Sequence, residues 1–211
     1  MIGIIDYGMG NLRSVQKGFE KVDAGARILK NPEQVSEVDR LVLPGVGAFA
    51  DGMIHLRQGG WPAGIRTFLD TGKPFLGICL GMQLLFDGSQ EDAPSADRPM
   101  EGLEILRGQV VRFVCDEPPL RLKVPHMGWN TLRWERPDPL LGGLEQNAAV
   151  YFVHSYYVKA DPAAAEACSA WSDHGERFCA SVWADNIWAT QFHPEKSQRT
   201  GLKILENFTN V

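Results

Sequence analysis

The chain has 211 residues, of which 44% are hydrophobic and 22% are charged, and its formal net charge at pH 7 is −5. A chain of this size is expected to fold as one domain, residues 1–211, because single α/β domains often reach about 200 residues. The acidic balance argues against a nucleic-acid surface, and no uncharged run reaches the ~18 apolar residues of a membrane-spanning helix.

The N-terminal segment and the cysteines indicate the cellular setting. MIGIIDYG lacks the basic region of a signal peptide and meets Asp6 early, so it is predicted to be a first strand. The four cysteines, at positions 79, 115, 168 and 179, show no CxxC pair and no metal-ligand spacing. Two disulfide bridges are arithmetically possible, but a chain without a secretion signal favours reduced cysteines. We therefore expect a cytoplasmic protein without a metal site.

The first half of the chain alternates short apolar runs with longer amphipathic segments. Near-continuous apolar strands that alternate with helices are typical of a parallel sheet covered on both faces. The strands are predicted at 2–5, 26–29, 40–43 and 74–78, and the helices at about 12–21 and 51–69.

From about residue 103 strand-like segments follow one another closely, which predicts hairpins and an antiparallel or mixed extension of the sheet. Asp185–Asn186 fits a tight turn between the last two strands. The segment 87–101 is predicted to be a surface loop. The strands are predicted at 108–113, 130–133, 150–158, 179–183 and 187–191, and a closing helix at 200–209.

Cys79 lies in the stretch FLGICLGMQLLF, between Gly77 and Gly81. A buried structural cysteine is the commoner interpretation of such a residue. A strand, the pattern GxCxG and a helix, however, make the cysteine form of the nucleophile elbow. Such a turn places the sulfur at a helix start, where the thiolate is favoured. The N–H of Leu80 then faces a developing oxyanion.

A thiol nucleophile needs a base, and the base needs a group that orients it. His193 and Glu195 lie in QFHPE after an apolar strand. Pro194 favours an extended conformation at His193, and positions i and i+2 of an extended segment point the same way. Among the other histidines, His154 is predicted to be structural and His126 to lie in a loop facing a partner. His55 and His174 are predicted to be surface residues.

Two glycine-containing turns complete the candidates. PGVG, at 44–47, ends a strand, and a backbone N–H near Val46 or Gly47 is a candidate second oxyanion donor, although a simple turn explains the segment equally well. DYGMGN has Arg13 where a dinucleotide fingerprint has glycine, and no Walker A loop occurs. The sequence therefore predicts no nucleotide cofactor, and none of any other kind.

The elbow cysteine, PGVG and HPE together resemble class I glutamine amidotransferases, over essentially the whole chain. This resemblance implies a flavodoxin-like, mainly parallel sheet flanked by helices. Four segments resemble one branch of that class, the glutaminase subunits of imidazole glycerol phosphate synthases of histidine biosynthesis. These segments are DYGMGNLRSV, GICLGMQLLF, PHMGWN and QFHPEKSQ.

The resemblance implies a Cys79–His193–Glu195 triad that hydrolyses glutamine through a thioester. It places Gln83, Glu91, Ser155 and Tyr156 at the bound glutamine, with the backbone of Gly47 nearby; by itself, Gln83 could equally be an exposed helix residue. It also implies a heterodimer with a (β/α)8-barrel cyclase that consumes the ammonia. Three residues of the family-specific segments would face that cyclase: Asn11, Trp129 and Lys196.

Three other interpretations remain open at this point. The chain could be a glutaminase that serves a different acceptor, such as a pyridoxal phosphate synthase subunit. It could also be an elbow-cysteine protein of the flavodoxin-like group that is no glutaminase, or a catalytically silent interaction subunit. The family-specific segments argue against a different acceptor. The terminal HPE argues against an elbow protein that is no glutaminase, and the complete triad argues against a silent subunit.

Overall fold

The computed structural model describes residues 1–93, 95, 98–114, 123–159 and 162–211, and within them the chain forms thirteen strands and six helices. The helices are α1 (Leu12–Glu20), α2 (Phe49–Gln58), α3 (Trp61–Leu69), α4 (Leu80–Gln83), α5 (Pro162–Ala165) and α6 (Gln198–Asn210). The strands are β1 (Ile2–Ile5), β2 (Ala26–Leu29), β3 (Arg40–Gly45), β4 (Phe75–Cys79), β5 (Gly88–Ser89), β6 (Met100–Glu101), β7 (Gln109–Arg112), β8 (His126–Thr131), β9 (Ala149–His154), β10 (Tyr156–Val158), β11 (Cys168–Asp173), β12 (Arg177–Ala184) and β13 (Ile187–Thr190).

Seven strands form the central sheet, in the order β11-β12-β13-β4-β3-β1-β2. The five strands from β2 to β13 run parallel, in the flavodoxin-like order in which the first strand lies between the second and the third. β12 and β11 continue the sheet antiparallel to β13. The predicted fold class, a mainly parallel sheet with an antiparallel extension in the C-terminal half, is confirmed.

Helices cover the sheet on both faces, which explains why most residues of the parallel strands are apolar. Along the strands, neighbouring side chains alternate between two separate hydrophobic clusters, as Ile4 and Ile5 do. One cluster contains the apolar faces of α2 and α3, and the other those of α1 and α6. No helix among the described residues is long and apolar enough to cross a membrane.

Two smaller sheets lie outside the central one. β8 and β9 form an antiparallel hairpin, and β10, β7, β5 and β6 form a four-stranded sheet. The predicted loop 87–101 therefore contains two short strands, β5 and β6, while its positions 94, 96 and 97 lie outside the described residues. The predicted turn at Asp185–Asn186 is confirmed between β12 and β13.

The single helix predicted over 51–69 is wrong, because two helices, α2 and α3, occupy this stretch. They are separated by Gly59 and Gly60, and Gly60 has a φ of +70°, a left-handed conformation that interrupts a helix and that glycine adopts readily. A 3₁₀ turn over Pro32–Glu37 and the strand β11 also have no counterpart in the prediction.

The strand order brings three predicted site segments together. β4 is hydrogen-bonded to β3 on one side and to β13 on the other. PGVG ends β3, Cys79 ends β4, and His193 follows β13 by three residues. Because the carboxyl ends of parallel strands meet at one edge of a sheet, the three segments share that edge.

Candidate active site

Cys79 occupies a strained turn between β4 and α4. Its φ is +55° and its ψ is −109°, a conformation that residues with a side chain seldom adopt. The flanking glycines are required by space: a Cβ on Gly81 would overlap the carbonyl oxygen of Leu43, and one on Gly77 would lie 2.9 Å from the carbonyl oxygen of Gly81. The turn therefore has the shape expected of a nucleophile elbow.

One cavity of about 280 Å³ adjoins this turn, and Cys79 lies on its wall with 6% of its surface exposed. The walls also carry the predicted base and the predicted oxyanion and substrate residues. The sequence-predicted residues lining it are Val46, Gly47, Cys79, Leu80, Gln83, Glu91, Ser155, Tyr156 and His193. Pro125, Val153 and His154 complete the lining.

The side chains of His193 and Glu195 are buried and contact each other beside the cavity. Nδ1 of the ring lies 2.8 Å from Oε1 of the carboxylate, and the two side chains are 2% and 1% exposed. His193 is extended, with φ −101° and ψ 99°, as the following proline favours. The backbone N–H of His193 donates to the carbonyl of Tyr151 at 3.0 Å, which fixes this segment against β9.

The other ring nitrogen of His193, Nε2, makes no hydrogen bond of normal geometry to any described residue. Burial alone would lower the pKa of His193. Hydrogen bonding and charge from Cys79 and Glu195 outweigh the burial and raise the pKa to about 9. The ring and the sulfur line the same cavity, and the carboxylate favours the protonated form of the ring.

Gln83 and Glu91 are held by internal hydrogen bonds. Nε2 of Gln83 donates to the carbonyl of Tyr156 at 2.9 Å and to Oε1 of Gln191 at 3.0 Å. At 5% exposure Gln83 is buried, so the alternative of an exposed helix residue is wrong. Oε2 of Glu91 accepts from the backbone N–H of Phe49 at 2.8 Å, which caps α2. Burial, opposed by this bond, raises the pKa of Glu91.

Sequence reasoning missed Gln191, which is fully buried beside the nucleophile. Its Nε2 lies 3.9 Å from Sγ of Cys79. The i, i+2 alternation that paired His193 with Glu195 also applies to Gln191 and His193, so the signal was present in QFHPE. Tyr7 was missed as well; burial, and then charge on Cys79, raises the pKa of its hydroxyl.

His126 was predicted to lie in a loop facing a partner, and this is wrong. It lies in β8, 5% exposed, because the segment 126–131 pairs along its whole length with β9. Its Nδ1 lies 3.0 Å from Nε2 of His154, and Nδ1 of His154 lies 2.8 Å from the carbonyl oxygen of Tyr156. Burial is the main cause that lowers the pKa of His126 to about 4 and that of His154 to about 3. Both rings are neutral structural residues at pH 7.

These two buried histidines should make stability fall in weak acid. Below about pH 6.5 the unfolded chain takes up protons that the folded rings accept only near their lowered pKa values of about 4 and 3. The contribution of the two neutral rings to the free energy of unfolding is therefore complete above about pH 6.5. It is lost as the pH falls from about 6.5 towards the folded pKa values of about 4 and 3. For His126→Phe, we expect the deficit in unfolding free energy relative to the parent protein to shrink between pH 6.5 and pH 4, measured by urea unfolding.

The matched control is His55→Phe, because His55 is exposed and lies in α2, outside the strands β8 and β9 that carry the buried pair. The difference in unfolding free energy between His55→Phe and the parent protein should stay constant from pH 6.5 to pH 4. A deficit of His126→Phe that also stays constant would contradict the assignment of acid sensitivity to the buried pair.

The three residues expected at a partner surface are all exposed. The ring of Trp129 packs against that of Tyr151, with centroids 6.0 Å apart. The backbone N–H of Tyr151 bonds to Oγ of Ser197, next to Lys196. Asn11 caps α1 by accepting from Ser14, and α1 packs on the turn Pro194–Lys196. The three side chains therefore come from elements that contact one another.

Comparisons with known proteins agree with this fold and this site. Residues 3–211 match the family described as "Glutamine amidotransferase class-I". The chain is 56% identical to the imidazole glycerol phosphate synthase subunit HisH of Syntrophotalea carbinolica, over all of both chains. It is 54% identical to that of Geobacter metallireducens, over 98% of this chain and 96% of the relative. In fold it resembles PurLQS from Thermotoga maritima, with a TM-score of 0.75, 17% identity, and 99% and 97% coverage.

The fold, the elbow and the family match define the class of protein: the chain belongs to the class-I glutamine amidotransferase family. Within that class it belongs with the HisH subunits of imidazole glycerol phosphate synthase, with which it shares about half of its residues over its whole length.

Proposed function

We propose that the chain hydrolyses glutamine to glutamate and ammonia with Cys79 as the nucleophile and His193 as the acid–base group. The observation that carries this proposal is the convergence of the two side chains on one cavity, with Glu195 bonded to the far side of the ring at 2.8 Å. Nucleophile, base and orienting group are the three parts that covalent acyl transfer requires.

The proposed reaction begins with transfer of the thiol proton of Cys79 to Nε2 of His193. Sγ then attacks the amide carbon of the substrate, and the ring returns the proton to the departing ammonia, which leaves a thioester. A water molecule gives a proton to Nε2 and attacks the thioester. Glutamate is released, and the sulfur takes the proton back. Glu195 stays ionised and holds the ring in the tautomer with a proton on Nδ1.

The oxyanion of each tetrahedral intermediate would be bound by backbone N–H groups. We assign one to Leu80, which directly follows the nucleophile. The second comes from the Val46–Gly47 segment, which lines the same cavity. Gly47 has a φ of +103°, which glycine adopts without strain, and glycine would also adopt the backbone conformation reached when the peptide between Val46 and Gly47 turns over. We propose that such a turn completes the oxyanion site when the partner binds its nucleotide.

We assign recognition of the α-ammonium and α-carboxylate groups of glutamine to four other residues of the cavity: Gln83, Glu91, Ser155 and Tyr156. Since Nε2 of Gln83 is used internally, its Oε1 remains to accept from the substrate ammonium group. Glu91 supplies a second acceptor for the same group. The backbone of Ser155 and Tyr156 borders the remaining part of the cavity and is assigned to the substrate carboxylate.

A glutamine analogue with a chloroketone in place of the side-chain amide tests the proposed nucleophile. We expect stoichiometric labelling of Cys79, found by peptide mass spectrometry, and protection by glutamine. Labelling at Cys115, Cys168 or Cys179 instead, or labelling that glutamine does not slow, would show that this cavity is not a glutaminase site.

We further propose that the ammonia is consumed by a separate cyclase subunit with a (β/α)8 barrel, in a heterodimer that makes imidazole glycerol phosphate and an aminoimidazole carboxamide ribonucleotide. The relatives at about half identity are subunits of imidazole glycerol phosphate synthase. The described cysteines are free thiols, in keeping with a cytoplasmic setting.

Trp129→Ala should weaken binding of the cyclase roughly tenfold or more, because large aromatic side chains dominate interface energies. Trp129 is 49% exposed, and its ring rests on Tyr151 beside the turn that carries Lys196. Isothermal titration against the cyclase measures the effect. Ile54→Ala, at a similarly exposed apolar residue of α2, is the control and should bind normally. Equal affinities for the two variants would place the interface elsewhere.

A further inference from the structure

The carboxamide of Gln191 is enclosed beside the nucleophile and has no exposed surface. It lies directly after β13 and two residues before His193, so the two side chains leave the strand end on the same side. Its Nε2 is 3.9 Å from Sγ of Cys79, within the range of hydrogen bonds to sulfur. The reaction steps derived above do not use this group.

Gln83 fixes which end of the Gln191 carboxamide faces the sulfur. Nε2 of Gln83 donates to Oε1 of Gln191 at 3.0 Å, and also to the carbonyl of Tyr156 at 2.9 Å. If the Gln191 amide were turned over, two N–H₂ groups would oppose each other, and an oxygen would face the sulfur. The observed orientation is therefore the one that gives both N–H groups of Gln83 an acceptor.

The sulfur has different partners in its two protonation states. As a thiol, Cys79 can donate to the carbonyl of Val153, 4.0 Å away. A thiolate cannot donate, and at 6% exposure it has little contact with water, so it needs donors from the protein. The amide of Gln191 is a donor already aimed at it.

We propose that Gln191 is a catalytic hydrogen-bond donor that stabilises the Cys79 thiolate, with Gln83 as its positioning residue, an inference that rests on the proposed glutaminase function. On ionisation the proton passes from Sγ to Nε2 of His193, and the N–H of Gln191 then points at the negative sulfur. The neutral amide supplies this stabilisation at any pH, whereas the imidazolium of His193 does so only while protonated.

The other ionisable groups around the sulfur are unchanged by substitution of Gln191. His193 faces it from the β13 side, with Glu195 behind the ring. Tyr7 interacts with it electrostatically, and His154 and Glu91 line the same cavity. These groups contribute to the pH dependence of the sulfur in every variant, so differences among variants report on position 191.

Alkylation of Cys79 by iodoacetamide as a function of pH tests the proposal without any need for turnover. The readout is the modified Cys79 peptide. Gln191→Met keeps the volume and removes the donor, and at pH 7 we expect alkylation at least about tenfold slower, with the pH midpoint shifted upward. Gln191→Glu places an acceptor against the sulfur and should shift the midpoint further. Gln83→Met should produce a smaller shift in the same direction.

Thr190→Val is the control, because Thr190 is equally buried at the neighbouring position and its hydroxyl donates to the carbonyl of Phe192. The pH midpoint of Cys79 alkylation in Thr190→Val should match that of the parent protein. Unchanged midpoints in the Gln191 and Gln83 variants would overturn the inference while leaving the glutaminase assignment intact. Failure of a chloroketone glutamine analogue to label Cys79 in the parent protein would instead remove the proposed function. If Gln191→Met does not fold, the Gln83→Met midpoint alone decides.

Discussion

Replacing Cys79 with alanine should lower glutamine hydrolysis by about 10³-fold or more, because a reaction through a thioester stops when its nucleophile is removed. The cavity would keep the remaining wall residues, so glutamine binding should persist. In complex with the cyclase, synthesis driven by added ammonium should continue while synthesis driven by glutamine is lost. Glutamate release and product formation, measured on the same sample, distinguish loss of glutamine hydrolysis from loss of the cyclase reaction.

Cys168→Ala is the matched control for this substitution. Cys168 and Cys79 are both 6% exposed, but Cys168 lies in β11 at the far edge of the central sheet. Its variant should retain glutamine hydrolysis. If Cys79→Ala still hydrolysed glutamine, Cys79 would be a core residue of the turn and not the nucleophile, and the assigned triad would be wrong.

The second large effect is structural: Gly81→Ala should reduce the free energy of unfolding by about 3 kcal/mol or more. An added Cβ would overlap the carbonyl oxygen of Leu43, a backbone atom of β3 that cannot move without disturbing the neighbouring ladder. α4 would be forced away from the sheet and would take the elbow with it. Chemical denaturation measures the loss, and glutamine hydrolysis should fall with it even below the unfolding transition.

Gly25→Ala distinguishes this close approach from the general effect of replacing glycine. A Cβ on Gly25 would meet only the side chain of Met1, at an ordinary 3.6 Å. Its change in unfolding free energy should stay within about 1 kcal/mol. Similar losses in the two variants would mean that the Leu43 contact is not what limits position 81.

The parallel core could be predicted from the sequence because its signals are local. β1, β3 and β4 are short, mainly apolar runs that are buried on both faces, so their composition indicates their environment directly. The elbow was equally accessible, since the glycines at 77 and 81 are required by contacts within a few residues and with the two adjacent strands, at Leu43 and Ala189.

The features that sequence reasoning missed depend on pairing between distant segments. β11 mixes polar and apolar residues, and it becomes a strand through its pairing with β12. The burial of His126 depends on β9, which begins 23 residues after it and supplies His154 as its partner. The bond between Gln83 and Gln191 joins residues 108 positions apart. The alternation in QFHPE indicates the side on which Gln191 lies, but no periodic pattern in the chain indicates which distant residue pairs with it, with His126 or with β11.

The position of β4 between β3 and β13 determines which part of the site is free to change. Separating the strand that carries Cys79 from the strand that precedes His193 would require breaking the backbone ladder between β4 and β13, a rearrangement that amide hydrogen exchange would register as sub-global opening. The Val46–Gly47 peptide lies just beyond the last paired residue of β3, so it can rotate without such a cost. Resting and stimulated forms of the enzyme would therefore have the same distance between Cys79 and His193. They would differ in the orientation of one peptide group, that between Val46 and Gly47.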